Sequence, residues 1–163
     1  MTQTRKLIDA PPEHVYAVLS DPPSYDRFVV GTKAIRHFDP RFPEPGSTLH
    51  HTVGAGPLIL RDHTRVERAD PPKRLVLRAS MRPIAVNRVD FRLVPESGGT
   101  TVTVEEYPLD GPLSRIWSPP LEGLMWLRNM LMLLRLERLA KRRAEQAQMP
   151  GSPAPRMIEE PEP

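Results

Sequence analysis

The sequence predicts an α+β fold whose helices and antiparallel sheet occupy separate parts of the chain. Three observations predict it: two short helical segments near the start, six strand-like segments in the middle, and one long helix near the end. Short turns rich in proline and glycine separate the strands, so consecutive strands are expected to pair. The order β-α-α-β6-α is typical of helices packed on one curved antiparallel sheet of about seven strands.

The first elements are short and are ended by proline. A strand is predicted over Thr4–Ile8, followed by a helix over Glu13–Ser20 that carries valine and leucine on one face. Asp21 precedes two prolines, and a proline disfavours the α region for the residue before it. The helix should therefore end there, with at most one more helical turn over Ser24–Phe28.

The middle of the chain has the alternating period of β-strands. Turn residues divide it into six segments, including a Pro-Gly pair at 45–46 and a Ser-Gly-Gly run at 97–99. The predicted strands are Lys33–Phe38, Thr48–Val53, Leu58–Glu67, Leu75–Met81, Val86–Val94 and Thr101–Tyr107.

The last element is a long helix expected to follow the N-cap Ser118 and to run to Gln148. It carries two apolar stripes, one more than packing on a single sheet requires. The additional apolar stripe leaves three interpretations open: a core helix covered on both sides, the wall of a ligand cavity, or a homodimer contact. Charged residues interrupt an apolar run of under 18 residues, which argues against stable membrane insertion. The first stripe is Leu124, Leu127, Met130, Leu131 and Leu134, and the second is Leu121, Met125, Met132, Leu136 and Leu139.

The composition of the 163 residues excludes several classes of function. The net charge is only +3, with acidic and basic residues interspersed, so we expect no nucleic-acid partner. The absence of cysteine excludes thiolate metal sites and disulfides. With no apolar run at the N-terminus we expect no signal peptide and a cytoplasmic location. We assign residues 1–145 to one domain and expect residues 146–163 to be a disordered, proline-rich tail.

Several turns and the first helix together resemble a known superfamily. The segment Ile8–Pro22 has an Ala-Pro after the first strand and a Val/Leu helix face, and Val66–Leu75 has an Asp-Pro-Pro turn between strands. With Gly98-Gly99-Thr100 and the long final helix, these features resemble the START-like, or SRPBCC, superfamily, which includes polyketide cyclases and lipid-transfer domains. The resemblance implies a helix-grip fold, in which the sheet wraps the C-terminal helix and leaves a mostly apolar cavity.

Strand alternation predicts which polar side chains face the interior. If Val66, Phe91 and Val104 point inward, Asp90 and Arg92 should lie in solvent. Buried carboxylates need partners or a raised pKa, so Asp62 and Glu106 are the most informative candidates. Alternatively, both acids are solvated at strand ends or paired with arginines. The predicted inward polar set is His51, Asp62, Thr64, Asn87 and Glu106. Adjacent histidines such as His50 and His51 point to opposite faces, so we expect no metal site and no cofactor.

The first functional hypothesis is a binding module for a hydrophobic small molecule, lipid-like or polyketide-like. An alternative is a cyclase or dehydrase in which His51 or Glu106 is the general base and Tyr107 or Asn87 holds the oxyanion. A third is a homodimeric interaction protein with a filled core, which uses the second helix stripe. For the first hypothesis, the ligand-binding residues are expected to be His51, Leu60, Asp62, Asn87, Phe91, Glu106, Trp126, Leu127 and Met130.

Overall fold

The computed structural model describes residues 1–55, 58–81, 83–112 and 119–149. Its elements follow the predicted order, with a 3-10 turn at Pro22–Ser24. The helices are α1 (Pro12–Leu19), α2 (Tyr25–Phe28) and α3 (Pro119–Gln148). The strands are β1 (Thr2–Ile8), β2 (Thr32–Phe38), β3 (Thr48–Ala55), β4 (Leu58–Asp70), β5 (Arg74–Met81), β6 (Ala85–Glu96) and β7 (Gly99–Asp110).

The strands form one seven-stranded antiparallel sheet in the order β1-β7-β6-β5-β4-β3-β2. Strands β2 to β7 form the expected meander, and β1 closes the sheet beside β7, with Thr2 opposite Glu106 and Ile8 opposite Thr100. Several strands are longer than predicted because hairpin partners keep pairing up to the turn, as at Glu96 and Gly99. Register shifts between β2 and β3 and between β4 and β5 mark irregularities of the kind that bend a sheet.

The start of β7 lies so close to β1 that a side chain does not fit there. A Cβ on Gly99 would lie 2.0 Å from the Ile8 carbonyl oxygen, and the residue has a φ of +149°. Glycine accepts both conditions. Beside it the Thr100 hydroxyl donates to the Ala10 carbonyl at 2.7 Å, which holds the start of α1 against the sheet.

The main core lies between the sheet, α1 and the C-terminal half of α3. Leu19, Phe28, Leu133 and Leu136 are fully buried there, together with Ile8 at the end of β1. Full burial of such a side chain contributes about 1.5–3 kcal/mol, so this cluster is the main source of stability for that end of the fold.

Helix α3 is a single long helix, as predicted, and it continues past the expected domain boundary at residue 145. Ion pairs tie its C-terminal half to the first elements: Lys141 to Asp9 at 2.8 Å and Lys6 to Glu137 at 2.9 Å. The predicted N-cap Ser118, and residues 150–163 of the predicted tail, lie outside the described residues. No helix in the described part of the chain is long and apolar enough to cross a membrane.

Asp90 is a buried carboxylate on the outer face of the sheet, although strand alternation predicted that it would be exposed to solvent. Asp90 is 3% exposed because two arginines lie over it. Arg74 donates to both carboxylate oxygens, at 3.0 and 2.7 Å, and Arg92 to one at 3.2 Å. Burial alone would raise the pKa of Asp90, but the hydrogen bonds and charges of the arginines outweigh it and lower that pKa. The prediction of a solvated Asp90 is therefore wrong.

Candidate functional site

A cavity of about 390 Å³ lies between the sheet and the N-terminal half of α3. Its volume falls in the range of small-molecule sites. Most of its lining is apolar, and the two predicted sheet-side residues, Leu60 and Phe91, are part of it. Other apolar lining residues are Val53, Leu77, Val89 and Met132.

The polar part of the cavity is centred on the buried carboxylate of Glu106. Strand alternation turns Glu106 inward with Val104, and the side chain is only 2% exposed. Asn87 Nδ2, from β6, donates to Glu106 Oε1 at 2.8 Å. From α3, Asn129 Nδ2 donates to Oε2 at 3.2 Å, and Arg128 Nη1 lies 3.3 Å from the same oxygen. One carboxylate thus joins the sheet to the helix.

Each of the two asparagines that donate to Glu106 has a second polar atom, its amide oxygen. Asn87 is 5% exposed and Asn129 is 1% exposed, and both line the cavity. No hydrogen-bond partner for Asn87 Oδ1 or Asn129 Oδ1 is present among the described residues. The site therefore presents two buried acceptors beside a charge pair that is already formed.

His51 lies on the cavity wall and is 7% exposed. Burial, and then the positive charge of Arg36, lowers its pKa to about 4. The ring is consequently neutral near pH 7, and its Nδ1 has no hydrogen-bond partner among the residues that the structure describes. His50 points to the outer face and lies between His37 and His63, with ring centroids 6.0 and 5.9 Å away. Within the described ranges, no three acidic or histidine side chains are placed to hold a metal ion.

Asp62 and Thr64, the other predicted inward residues, are both buried on β4. Thr64 lines the cavity, whereas Asp62 does not. The Asp62 carboxylate accepts a hydrogen bond from the His63 backbone amide at 2.7 Å and lies 3.6 Å from His63 Nδ1. Tyr107, considered for an oxyanion, is turned to the outer face, where its hydroxyl donates to Glu105 at 2.7 Å. Of these residues, only Thr64 contributes to the cavity.

The structure corrects the predicted helix wall. Trp126 and Leu127 are 47% and 49% exposed, and Met130 does not line the cavity. The cavity face of α3 consists of Met125, Arg128, Asn129 and Met132. This is the second apolar stripe and its polar neighbours, and the physical reason is that Glu106 needs donors from the helix. Sequence reasoning missed Arg128 and Asn129, although a buried Glu106 opposite a helix is a signal to look for donors on that helix.

The comparisons with known proteins agree with this architecture. The model of the family described as "Polyketide cyclase / dehydrase and lipid transport" matches residues 2–142, from β1 into α3. The chain belongs to this family. The match covers every strand and the whole cavity, and it confirms the resemblance inferred from the turns and the first helix. No curated protein sequence matches the chain significantly.

Solved structures similar to this member of the family show the helix-grip fold. Protein SA2116 of unknown function from Staphylococcus aureus matches with a TM-score of 0.69 and 12% identity, over 88% of this chain and 94% of that one. Protein CV1439 from Chromobacterium violaceum matches with a TM-score of 0.65 and 16% identity, over 85% of this chain and 96% of that one. The di-domain ARO/CYC StfQ of the steffimycin biosynthetic pathway matches with a TM-score of 0.64 and 13% identity, over 89% of this chain and 50% of that one. At such low identities the likeness shows the fold alone.

Proposed function

We propose that the protein binds a hydrophobic small molecule, lipid-like or polyketide-like, in the cavity between the sheet and α3. The observation that carries the proposal is the cavity itself, of about 390 Å³ with a mostly apolar lining. Protein interiors are close-packed, and few voids in them are larger than a water molecule. A void of this size with a few polar groups at one place has the form of a ligand site. Membership of a family that includes lipid transport is consistent with it.

The geometry gives less support to catalysis by the two predicted bases. Both oxygens of Glu106 already accept hydrogen bonds, from Asn87, Asn129 and Arg128. His51 has a pKa of about 4, which is low for a general base at neutral pH. An arrangement of this kind is better suited to holding a ligand than to removing a proton from it.

The proposal is tested by filling the cavity from its sheet side. Ala79 lines the cavity, so Ala79→Trp and the smaller Ala79→Phe place an aromatic ring inside it. Met130→Trp is the matched control, because Met130 lies on α3 outside the cavity lining. After incubation with a lipid and polyketide extract, native mass spectrometry should show a retained molecule on the wild type and on Met130→Trp.

The folded Ala79 variants should lose that molecule, with folding checked by circular dichroism. Equal retention by the wild type and both folded Ala79 variants would mean that the molecule sits elsewhere. No retained molecule on the wild type would contradict a lipophilic cargo.

A homodimer through α3 is a second candidate, favoured by the exposed outer face of the helix. Leu124, Leu127, Leu131 and Leu134 are 58%, 49%, 41% and 38% exposed. We infer a second copy of the chain as the partner because the four leucines are spaced symmetrically about residue 129. A two-fold axis there would bring Leu124 against Leu134 and Leu127 against Leu131 of the second copy. The dimer face is then the first stripe, since Met125 and Met132 of the second stripe face the cavity.

Sedimentation velocity distinguishes this face from other exposed apolar residues. Leu131→Glu should convert a dimer into a monomer, because burying the two new carboxylates, one from each copy, near the two-fold axis would cost much free energy. Val94→Glu is the control, since Val94 is 53% exposed on β6, away from α3. A wild type that is monomeric at all concentrations would remove this candidate.

A further inference from the structure

We propose that the outer face of the sheet carries a second site, which binds the phosphate group of a phosphorylated molecule through Arg65 and Arg78. Both arginines line a surface pocket of about 450 Å³ formed mainly by β4 and β5. Strand alternation turns these side chains away from the cavity, because Thr64 and Ala79, their neighbours in the chain, line the cavity instead. The inference therefore goes beyond the proposed function and does not depend on it.

The first observation is a row of three arginines on neighbouring strands. In the register of the sheet, Arg65 of β4 lies opposite Arg78 of β5, which lies opposite Arg88 of β6. All three side chains are exposed on the outer face. Like charges directly opposite each other in a sheet are destabilising. The row therefore concentrates positive charge at a cost in stability, and an anion bound over it would reduce that cost.

The second observation is that this positive charge is only partly compensated. Arg88 Nε donates to the Glu67 carboxylate at 2.6 Å, whereas Arg78 Nη1 lies 3.9 Å from it. In the described part of the chain, no carboxylate is paired with Arg65. Three arginines and one glutamate, +3 and −1, leave a net charge of +2. This charge is complementary to a phosphate monoester, which carries up to about two negative charges near neutral pH.

The third observation is the chemistry of the pocket wall. A guanidinium group can donate to two phosphate oxygens at once, and this geometry makes arginine a preferred phosphate ligand. Ser80 also lines the pocket and is only 5% exposed, and no hydrogen bond to its hydroxyl is present among the described residues. Val86, opposite Ser80 on β6, adds an apolar surface. The wall thus suits a phosphate with an organic group attached.

Two aromatic probes test the preference for a dianion by isothermal titration calorimetry on the full chain at about pH 8. Phenyl phosphate is a dianion at this pH, and benzenesulfonate carries a single charge on the same ring. We expect phenyl phosphate to bind about tenfold or more tighter, because its second charge engages the second arginine. Its binding should weaken as salt is added, since both arginines are exposed.

Three variants assign the binding to this pocket. Arg65→Gln and Arg78→Gln each remove one guanidinium group, and each should weaken phenyl phosphate binding about tenfold. Arg138→Gln is the matched control, because it removes the same charge from an exposed position on α3 and should leave the affinity within about twofold. All three positions are exposed, so the variants should fold, and circular dichroism checks this.

Histidine resonances in NMR spectra locate the bound probe independently. His63 lines the pocket, so its ring signals should shift when phenyl phosphate is added. His14 is exposed on α1, away from the pocket, and its signals should stay in place. A shift of the His51 signals alone would place the probe in the cavity and overturn the proposal.

Vesicles of phosphatidylcholine, with and without phosphatidate, distinguish the two sources of a phosphate group. Sedimentation with phosphatidate vesicles that is lost in Arg65→Gln would assign the site to a lipid headgroup. Binding of phenyl phosphate without such sedimentation would assign it to a soluble molecule.

Several results would overturn the proposal, and none of them concerns retention of a lipophilic molecule in the cavity. One is the absence of binding by both phenyl phosphate and phosphatidate vesicles. Another is equal affinity for phenyl phosphate and benzenesulfonate. A third is an equal loss of affinity in Arg138→Gln, which would indicate attraction to the overall charge of the protein. Unchanged affinity in both folded pocket variants would mean that the phosphate binds elsewhere.

Discussion

The two halves of α3 differ in their packing: the C-terminal half is buried in the main core, whereas the N-terminal half borders a cavity. In the C-terminal half, Leu133, Leu136 and Ala140 are fully buried in the main core. In the N-terminal half, Met125 and Arg128 face the cavity together with Asn129. A helix that covers a sheet therefore need not fill the space beneath it along its whole length.

The difference arises from what the helix meets. Its C-terminal half packs on α1 and β1, where Leu19 and Ile8 fill the interior, and small residues such as Ala140 allow close approach. The N-terminal half meets Glu106 and Asn87 instead. Glu106 requires hydrogen-bond donors, and Arg128 and Asn129 supply them from the helix. Hydrogen bonds of this polar cluster can thus keep α3 farther from the sheet than close apolar packing would.

The largest expected effect is in the packed half. Leu136→Ala should lower the free energy of unfolding by about 3 kcal/mol, because it leaves a void in a filled core. Denaturant unfolding measures the loss, and the folded variant should still retain the lipophilic molecule detected by native mass spectrometry. A loss below about 1 kcal/mol would show that this half is not close-packed.

A smaller loss of stability is expected at low pH from His51, which lies on the wall of the cavity. The pKa of His51 is lowered to about 4 from 6.5 by burial and nearby positive charge. The unfolded chain binds a proton there below pH 6.5 and the folded chain does not, so stability present above 6.5 falls as pH decreases towards 4. The free energy of unfolding should drop by about 2 kcal/mol between pH 8 and pH 5 from this group.

His51→Leu isolates that contribution. Arg36, His50 and His63 act on the ring, and the pKa of His50 is also lowered, so the wild type contains further pH-dependent terms. The contribution of His51 is therefore the difference between the pH dependence of the wild type and that of the variant. Identical pH dependence in the two proteins would mean that the ring is not buried uncharged.

The smallest effect is expected from truncation beside the cavity. Met125→Ala should cost about 1 kcal/mol or less, because the side chain is only half-buried and borders existing space. It is the counterpart of Leu136→Ala on the same helix, measured by the same denaturant unfolding. A loss as large as that of Leu136→Ala would remove the distinction between the two halves.

Local patterns predicted most of the fold. Proline and glycine turns separated the strands, and alternation turned Asn87 and Glu106 inward, because both signals act over a few residues. Two errors came from contacts distant in sequence. Asp90 is buried because Arg74 lies over it from the neighbouring strand, 16 residues away. Trp126 was assigned to the cavity together with Leu127, yet both lie on the exposed side of α3.

By itself the sequence determined the order of the elements, the meander, and the polar residues that the strands turn inward, since these depend on period and turn chemistry. Only the tertiary structure decided how α3 is rotated. Two stripes of similar hydrophobicity compete for the sheet, so burial alone does not choose between them. The observed rotation brings Arg128 and Asn129 against Glu106, and these helix residues supply the donors that the buried carboxylate needs in addition to Asn87.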